Sequence, residues 1–224
     1  MNKVNISHLN VANCNIDISP VVKNLGCYFD SQMSMSSQIS SICQTSFFHL
    51  RNIGKIRSYI DEDTAKVLVS SFVMSHLDYC NSLLSELPES SISRLQKVQN
   101  QAARIVTRTK KKEHIQPVLK SLHWLPVKER IDFKILCHAF KCYNKTAPFY
   151  LQELLTSYVP ARQLRSSSKN QLVIPKTNSV LSQRAFSIHA PVLWNSLPEY
   201  CKESDTIESF KRKLKTILFT RAYD

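Results

Sequence analysis

The stretch ISRLQKVQNQAARIVTRTKKK, residues 92–112, repeats apolar and basic side chains at helical spacing. At about 100° per residue, its first four cations and Gln101 fall within an arc of roughly 80° on a helix. The apolar residues occupy the other side, over roughly 160°. The stretch therefore predicts an amphipathic helix with its apolar face on a core and its basic face outward. Ser90 or Ser91 is the expected N-cap, because a hydroxyl there accepts from an unpaired amide.

The positive charge of the chain is concentrated around this helix. Residues 91–145 net +10, whereas residues 1–90 net −2 and residues 146–224 net +5. A local excess describes a binding surface rather than a fold, and polyanions are its natural partners. We predict that nucleic acid binds these cations: Arg94, Lys97, Arg104, Arg108, Lys110, Lys111 and Lys112. The alternative is a core-packing helix whose basic face is merely solvated.

Composition excludes several classes of protein. The chain has only two glycines, so a glycine-rich phosphate loop is impossible and mostly helices with short loops are expected. Seven scattered cysteines with no signal peptide before them indicate reduced thiols in an intracellular protein, nuclear or cytoplasmic. No run of about 18 apolar residues occurs, so no membrane span or membrane partner is predicted.

Local patterns predict a mainly α fold with a small β component, α+β in class. Residues 4–9, 13–19 and 21–30 have strand character, with Gly26 inside the last strand as a bulge or a point of close backbone approach. Helices are expected over residues 34–59, 61–84, 114–121, 127–143, 148–155 and 205–220. A polar, basic linker over residues 160–170 precedes two short predicted strands, residues 171–175 and 184–189.

Catalytic and metal-binding patterns are absent from the sequence. Neither CxxC nor HExxH occurs, and Cys137, His138 and Cys142 lack the paired spacing of structural zinc sites. No nucleophile signature supports any cysteine–histidine pair. Asp78 is a lone carboxylate, whereas two-metal phosphoryl transfer needs a converging pair. We therefore expect no catalytic residue, no metal ligand and no cofactor.

Several long segments together resemble one family. They are VKNLGCYFDSQMSMSSQI (22–39), FFHLRNIGKIR (47–57), LDYCNSLLSELPESSISRLQKVQNQAARIVTRT (77–109), HIQPVLKSLHWLPVKERIDFKIL (114–136), RAFSIHAPVLWNSLP (184–198) and ESFKRKLKTILF (208–219). In this order they resemble the carboxy-terminal part of reverse transcriptases from LINE-type, non-LTR retrotransposons of the jockey-like kind. The resemblance covers roughly residues 15–222.

The resemblance implies four regions. Residues 1–33 would be a hairpin from the end of the polymerase palm, with Leu25 and Gly26 on the strand that supports the primer. Residues 34–109 would be a thumb-like helical bundle that packs on the primer–template duplex. Residues 110–159 would be post-thumb helices. Residues 160–224 would be a C-terminal region with the basic linker, the two short strands and the terminal helix.

The resemblance also implies a missing catalytic centre. The family's aspartate pair holds Mg²⁺, but no Asp-Asp pair occurs in this sequence, and the fingers and most of the palm would lie upstream of residue 1. The expected function is thus that of a non-enzymatic fragment of an RNA-directed DNA polymerase that binds RNA, an RNA–DNA hybrid or DNA. The alternatives are a protein-interaction module, which includes pairing with a separately encoded palm, and a non-functional relic of a mobile element.

Overall fold

The computed structural model describes residues 8–11, 14–159 and 170–224. Its helices and short strands confirm the predicted class, mainly α with a small β component. The predicted linker over residues 160–170 lies outside the described residues except for Asn170, and so do residues 4–7 of the first predicted strand.

The strands form two antiparallel hairpins near the amino-terminal end. The first pairs β1 (His8–Val11) with β2 (Cys14–Asp17), and the second pairs β3 (Val21–Asn24) with β4 (Cys27–Asp30). In the second hairpin Val21 lies opposite Asp30. The hairpin packs on the first long helix through β4.

The prediction of a single strand over residues 21–30 was wrong. Leu25 and Gly26 form the two-residue loop between β3 and β4, with φ of 46° and 82°. Two consecutive positive φ values are typical of the type I′ turn, whose twist matches that of the flanking strands. Leu25 and Gly26 therefore lie at an exposed tip, not within a strand. The Tyr79 hydroxyl donates to the Leu25 carbonyl at 2.7 Å and anchors this tip to the helices.

The helices make up most of the chain. The longer ones are α1 (Ser36–Ile56), α2 (Glu62–Val69), α4 (Glu89–Thr107), α6 (Val127–Tyr143), α9 (Phe186–Asn195) and α11 (Ile207–Tyr223). The shorter ones are α3 (Ser75–Asp78), α5 (Gln116–Ser121), α7 (Phe149–Gln152), α8 (Val180–Gln183) and α10 (Glu199–Lys202). The predictions for residues 34–59 and 127–143 are confirmed within a few residues at each end.

The predicted helix over residues 61–84 is not continuous. A π-helical turn, Ser70–Met74, joins α2 to α3, and a 3₁₀ turn, Asn81–Leu84, follows α3. The helix ends between α3 and the 3₁₀ turn, because Tyr79 is extended and Cys80 has a φ of 52°. Only the start of the helix agrees with its pattern, since the Asp61 side chain accepts from the Thr64 amide at 2.7 Å. Hydrogen bonds from the Thr64 side chain and from its amide lower the pKa of Asp61.

The predicted N-cap of the basic helix was also wrong. The basic helix α4 begins at Glu89, with Pro88 and not Ser90 or Ser91 at the N-cap position. The ring of Pro88 fixes its φ near the helical value. The helix can therefore begin directly after Pro88, before the position that Ser90 or Ser91 would cap.

The two short strands predicted near the carboxy-terminal end do not form. Residues 171–175 contribute only an isolated bridge, Leu172 to Ser157, and residues 186–189 belong to α9. The Asn195 side chain bonds both the amide and the carbonyl of Leu172, at 2.9 and 2.8 Å, so a side chain replaces the second strand.

One connected set of buried side chains lies between the helices, with members from α1 through α11. Its aromatic centre consists of Phe140, Trp194 and Phe210, and the rings of Phe140 and Phe210 stack at 4.3 Å. The Trp194 indole is fully buried and donates to the Asn170 carbonyl at 2.8 Å. The proposed boundaries at residues 33, 109 and 159 stay predictions. Within the described residues, every helix is too short or too polar to cross a bilayer.

Candidate nucleic-acid interface

Helices α1 and α4 lie side by side and run in the same direction. Near their starts, the Arg94 guanidinium donates to the Ser40 hydroxyl at 3.0 Å. Near their ends, an added Cβ on Gly54 would meet the Ile105 side chain at 4.0 Å. The carboxyl ends of both helices therefore meet at one end of the bundle. Their exposed carbonyls give that end a partial negative charge, which favours cations there.

Arg57 joins these two helix ends from inside. It follows the last residue of α1 and is 9% exposed. Its guanidinium donates to the carbonyls of Ile105 and Val106 in α4, at 2.8 and 2.7 Å, and to the Ile60 carbonyl at 2.7 Å. Carbonyls in the last turn of a helix have no partner within the helix, so Arg57 supplies what α4 lacks. Although Arg57 follows α1 close to the basic surface, its guanidinium is used inside the protein and adds little to the exposed charge.

An open furrow runs between α1 and α4 above Arg57. It consists of two adjoining cavities, of about 430 and 330 Å³, which share Gly54, Gln101 and Ile105. The first cavity is further lined by Phe47, Leu50 and Arg51, and the second by Arg57, Arg104, Arg108, Thr109 and Lys111. We call this feature the α1–α4 furrow. Its floor is apolar and its rim is basic.

Four of the predicted site residues are exposed, and their side chains have no hydrogen-bond or ion-pair partner among the described residues. They are Lys97 on the outer face of α4 and the three lysines of the following loop, Lys110, Lys111 and Lys112. Within the described residues, none of these ammonium groups forms an ion pair. The same is true of Arg51 on α1, at the rim of the furrow. One carboxylate, Glu113, lies in the same loop and accepts from the Lys110 amide at 3.1 Å, so the face keeps a net positive charge.

The three predicted arginines are also hydrogen-bonded within the protein. Arg104 is half-buried and donates to the carbonyls of Lys110 and Glu113, the latter at 2.7 Å, so it holds the lysine loop against α4. Arg108, in a left-handed conformation at the end of α4, donates to the Arg57 carbonyl at 2.8 Å. Each guanidinium has five N–H donors, so these contacts still leave donors for a ligand. The arginines both shape the interface and charge it.

Sequence reasoning missed three features of the furrow. Phe47 and Gly54 were not proposed, and Gln101 was placed on the basic face without a role. A signal was available for Arg57, because it continues the buried stripe of α1 one turn after Ile53. No comparable signal marks Gly54, since its importance depends on a helix that is distant in sequence.

A separate cavity, of about 430 Å³, lies away from this face. It is bordered by His138 and His189, and burial lowers the pKa of His138. The His189 Nε2 atom has no hydrogen-bond partner within the described residues and lies 3.8 Å from an Asp132 oxygen. Asp78, which has no second carboxylate beside it in the sequence, is paired with Arg130. In the described part of the chain, no cluster of three metal-ligating side chains occurs.

No protein-family model, no curated protein and no solved structure matches the chain. The relationship to LINE-type reverse transcriptases, including the primer-support role of Leu25 and Gly26, stays a prediction from the quoted segments.

Proposed function

We propose that the chain binds nucleic acid, RNA or an RNA–DNA duplex, through the face formed by the ends of α1 and α4. The observation that carries this function is the set of unpaired cations around the furrow, Arg51, Lys97 and the lysines of the 110–112 loop. Phosphate oxygens are the ligands that such a set neutralises, with release of counterions. The sequence resemblance to a polymerase thumb supports the same function.

The expected binding is tolerant of sequence and sensitive to salt. Lysines contact phosphates as point charges, and such contacts position a protein without reading bases. Each neutralised phosphate contributes a slope of roughly −0.9 to the logarithm of the binding constant against the logarithm of salt concentration for a duplex. Three or four contacts would therefore change affinity by about two orders of magnitude over a fivefold change in salt.

Charge reversal of lysines gives the cleanest test. Arg104 and Arg108 are poor choices, because their guanidiniums hold backbone carbonyls and their loss would disturb the loop. Within the described residues, the side chains of Lys97 and Lys111 form no hydrogen bond or ion pair, so Lys97→Glu combined with Lys111→Glu reverses charge without breaking such a contact. Its matched control is Lys211→Glu with Lys215→Glu, two exposed positions on α11.

Fluorescence anisotropy with a labelled RNA–DNA hybrid at low and moderate salt measures the effect. We expect the first pair of substitutions to weaken binding by roughly tenfold or more, and the control pair to change it by less than about threefold. A salt-independent affinity, or equal losses for both pairs, would contradict a nucleic-acid function for this face.

An aromatic cluster favours a second candidate function, docking of another protein. Phe48 and Phe72 are about half exposed and flank His49, with ring centroids 5.4 and 5.3 Å away. Exposed aromatic groups of this kind are enriched at protein interfaces. Capture of a partner that survives nuclease treatment and is lost in Phe48→Ala with Phe72→Ala would support it, whereas loss of the partner on nuclease treatment would indicate bridging by nucleic acid.

A further inference from the structure

The α1–α4 furrow contains a glycine that the fold does not need. Gly54 lies inside α1, where glycine costs about 1 kcal/mol relative to alanine. An added Cβ would meet only the end of the Ile105 side chain, at 4.0 Å, which is ordinary contact. Gly26 differs, because its φ of +82° is one that other residues rarely adopt. The absence of a side chain at Gly54 therefore leaves the furrow open at this point.

The floor of the furrow suits a flat apolar group. Leu50 is buried and Ile105 is partly buried beneath it, and Phe47 is 40% exposed at one side. An aromatic ring beside an open apolar floor is the arrangement on which nucleic-acid bases stack. In a duplex the faces of the bases are covered by their neighbours, so only an unpaired base presents a face to such a floor.

The rim adds the groups that a nucleotide would need around its base. Arg51 and Lys111 stand at the two ends of the furrow and can each meet a phosphate. Between them lies the exposed Gln101 amide, which makes no hydrogen bond within the described residues and offers both donors and an acceptor. An apolar floor, an aromatic side, an amide and two cations are the complement of one nucleotide.

We propose that the furrow holds an unpaired nucleotide, with its base over Gly54 against Phe47 and its flanking phosphates on Arg51 and Lys111. This assignment rests on the proposed nucleic-acid function and specifies its substrate. The preferred ligand is a single strand, or a strand with an unpaired end next to a duplex, rather than a fully paired duplex.

Filling the furrow tests the proposal directly. Gly54→Leu places a side chain where the base would lie, and the open space around Gly54 predicts that the helix accepts it. The matched control is Asn52→Leu, which adds the same side chain at an exposed position of α1 that does not line the furrow. Phe47→Ala removes the stacking ring without filling the space, and Phe48→Ala is its neighbour control.

The measurement is anisotropy of a labelled single-stranded oligouridylate and of a blunt RNA duplex, with urea unfolding to check each variant. We expect tighter binding of the single strand by the unchanged protein. We also expect losses of roughly tenfold in Gly54→Leu and Phe47→Ala, the size of one base–aromatic stack, and little change in the two controls.

Two other results would overturn the assignment, and they are separable from failure of the proposed function. If the blunt duplex binds more tightly, or if both furrow variants bind the single strand as the unchanged protein does, the furrow holds no base. Salt-dependent binding lost in the Lys97 and Lys111 charge reversals would then still establish a phosphate-binding face. Absence of salt-dependent binding to either probe would remove both conclusions. If Gly54→Leu fails to fold, binding of the single strand by Phe47→Ala is the deciding measurement, and unchanged affinity would overturn the assignment.

Discussion

Arg57 Nη2 donates to the backbone carbonyl of Val106 at 2.7 Å, across 49 positions of sequence. This contact ties the end of α1 to the last turn of α4 and fixes the floor of the furrow between them. A buried cation thus supports an interface whose exposed cations are the proposed ligands of phosphate. The two kinds of charge have different roles and respond differently to substitution.

Replacing Arg57 should destabilise the fold. Arg57→Ala leaves the Ile105 and Val106 carbonyls without their donor inside the protein, and we expect a loss of about 3 kcal/mol in the free energy of unfolding. Arg57→Lys should lose less, because an ammonium group can serve some of the same carbonyls but not as a planar fork. Urea unfolding followed by circular dichroism measures both. Arg51→Ala, an exposed control on the same helix, should stay within about 0.5 kcal/mol; an equal loss there would contradict the structural role of Arg57.

Arg104→Lys tests whether Arg104 acts on nucleic-acid binding through its charge or through its hold on the 110–113 loop. The substitution keeps the positive charge but loses the paired contacts to the Lys110 and Glu113 carbonyls. We expect affinity for an RNA–DNA hybrid to fall severalfold while the salt slope stays unchanged, because the slope counts neutralised phosphates. Amide hydrogen exchange over residues 110–113 should become faster at the same time. A reduced slope with unaltered exchange would show that Arg104 itself contacts phosphate.

Leu25→Asn at the tip of the second hairpin should increase the stability of the protein. Leu25 has a φ of 46° and is 83% exposed, so it bears the strain of a left-handed conformation while burying little. Asn-Gly is the preferred pair for this turn, and we expect a gain of about 1 kcal/mol in the free energy of unfolding. Leu25→Val, which is branched at Cβ, should instead lose stability. Urea midpoints of the two variants provide the comparison, and the opposite order would argue against the turn.

The cysteines should differ widely in reactivity. Burial raises the pKa of the Cys137 and Cys201 thiols to about 11 each, so near pH 8 only about one in a thousand is a thiolate. Cys14 is exposed and should react first with N-ethylmaleimide. Mass spectrometry of peptides at successive times measures the order in which the cysteines are labelled. In a sample unfolded in urea, the cysteines should be labelled at similar rates. Labelling of Cys201 at the rate of Cys14 in the folded protein would contradict its burial.

The long, strongly periodic helices were predictable because their signal is local. The apolar spacing in α6 and the basic and apolar faces of α4 can be counted along the sequence, and both helices form where expected. The errors fell where a distant group decides the conformation. Residues 184–189 were predicted as a strand, but residues 186–189 form the start of α9, whose Trp194 packs in the core beside Phe210. Among the described residues, no strand pairs with them.

The furrow shows the same difference between local sequence signals and contacts between distant residues. The fold class, the amphipathic α4 and the local excess of cations could be predicted from the sequence, because periodicity and charge belong to single segments. The parallel direction of α1 and α4, the burial of Arg57 between them and the open position of Gly54 opposite Ile105 follow from the packing of the two helices. These relationships depend on packing between residues about 50 positions apart, and no pattern within either helix encodes the contact.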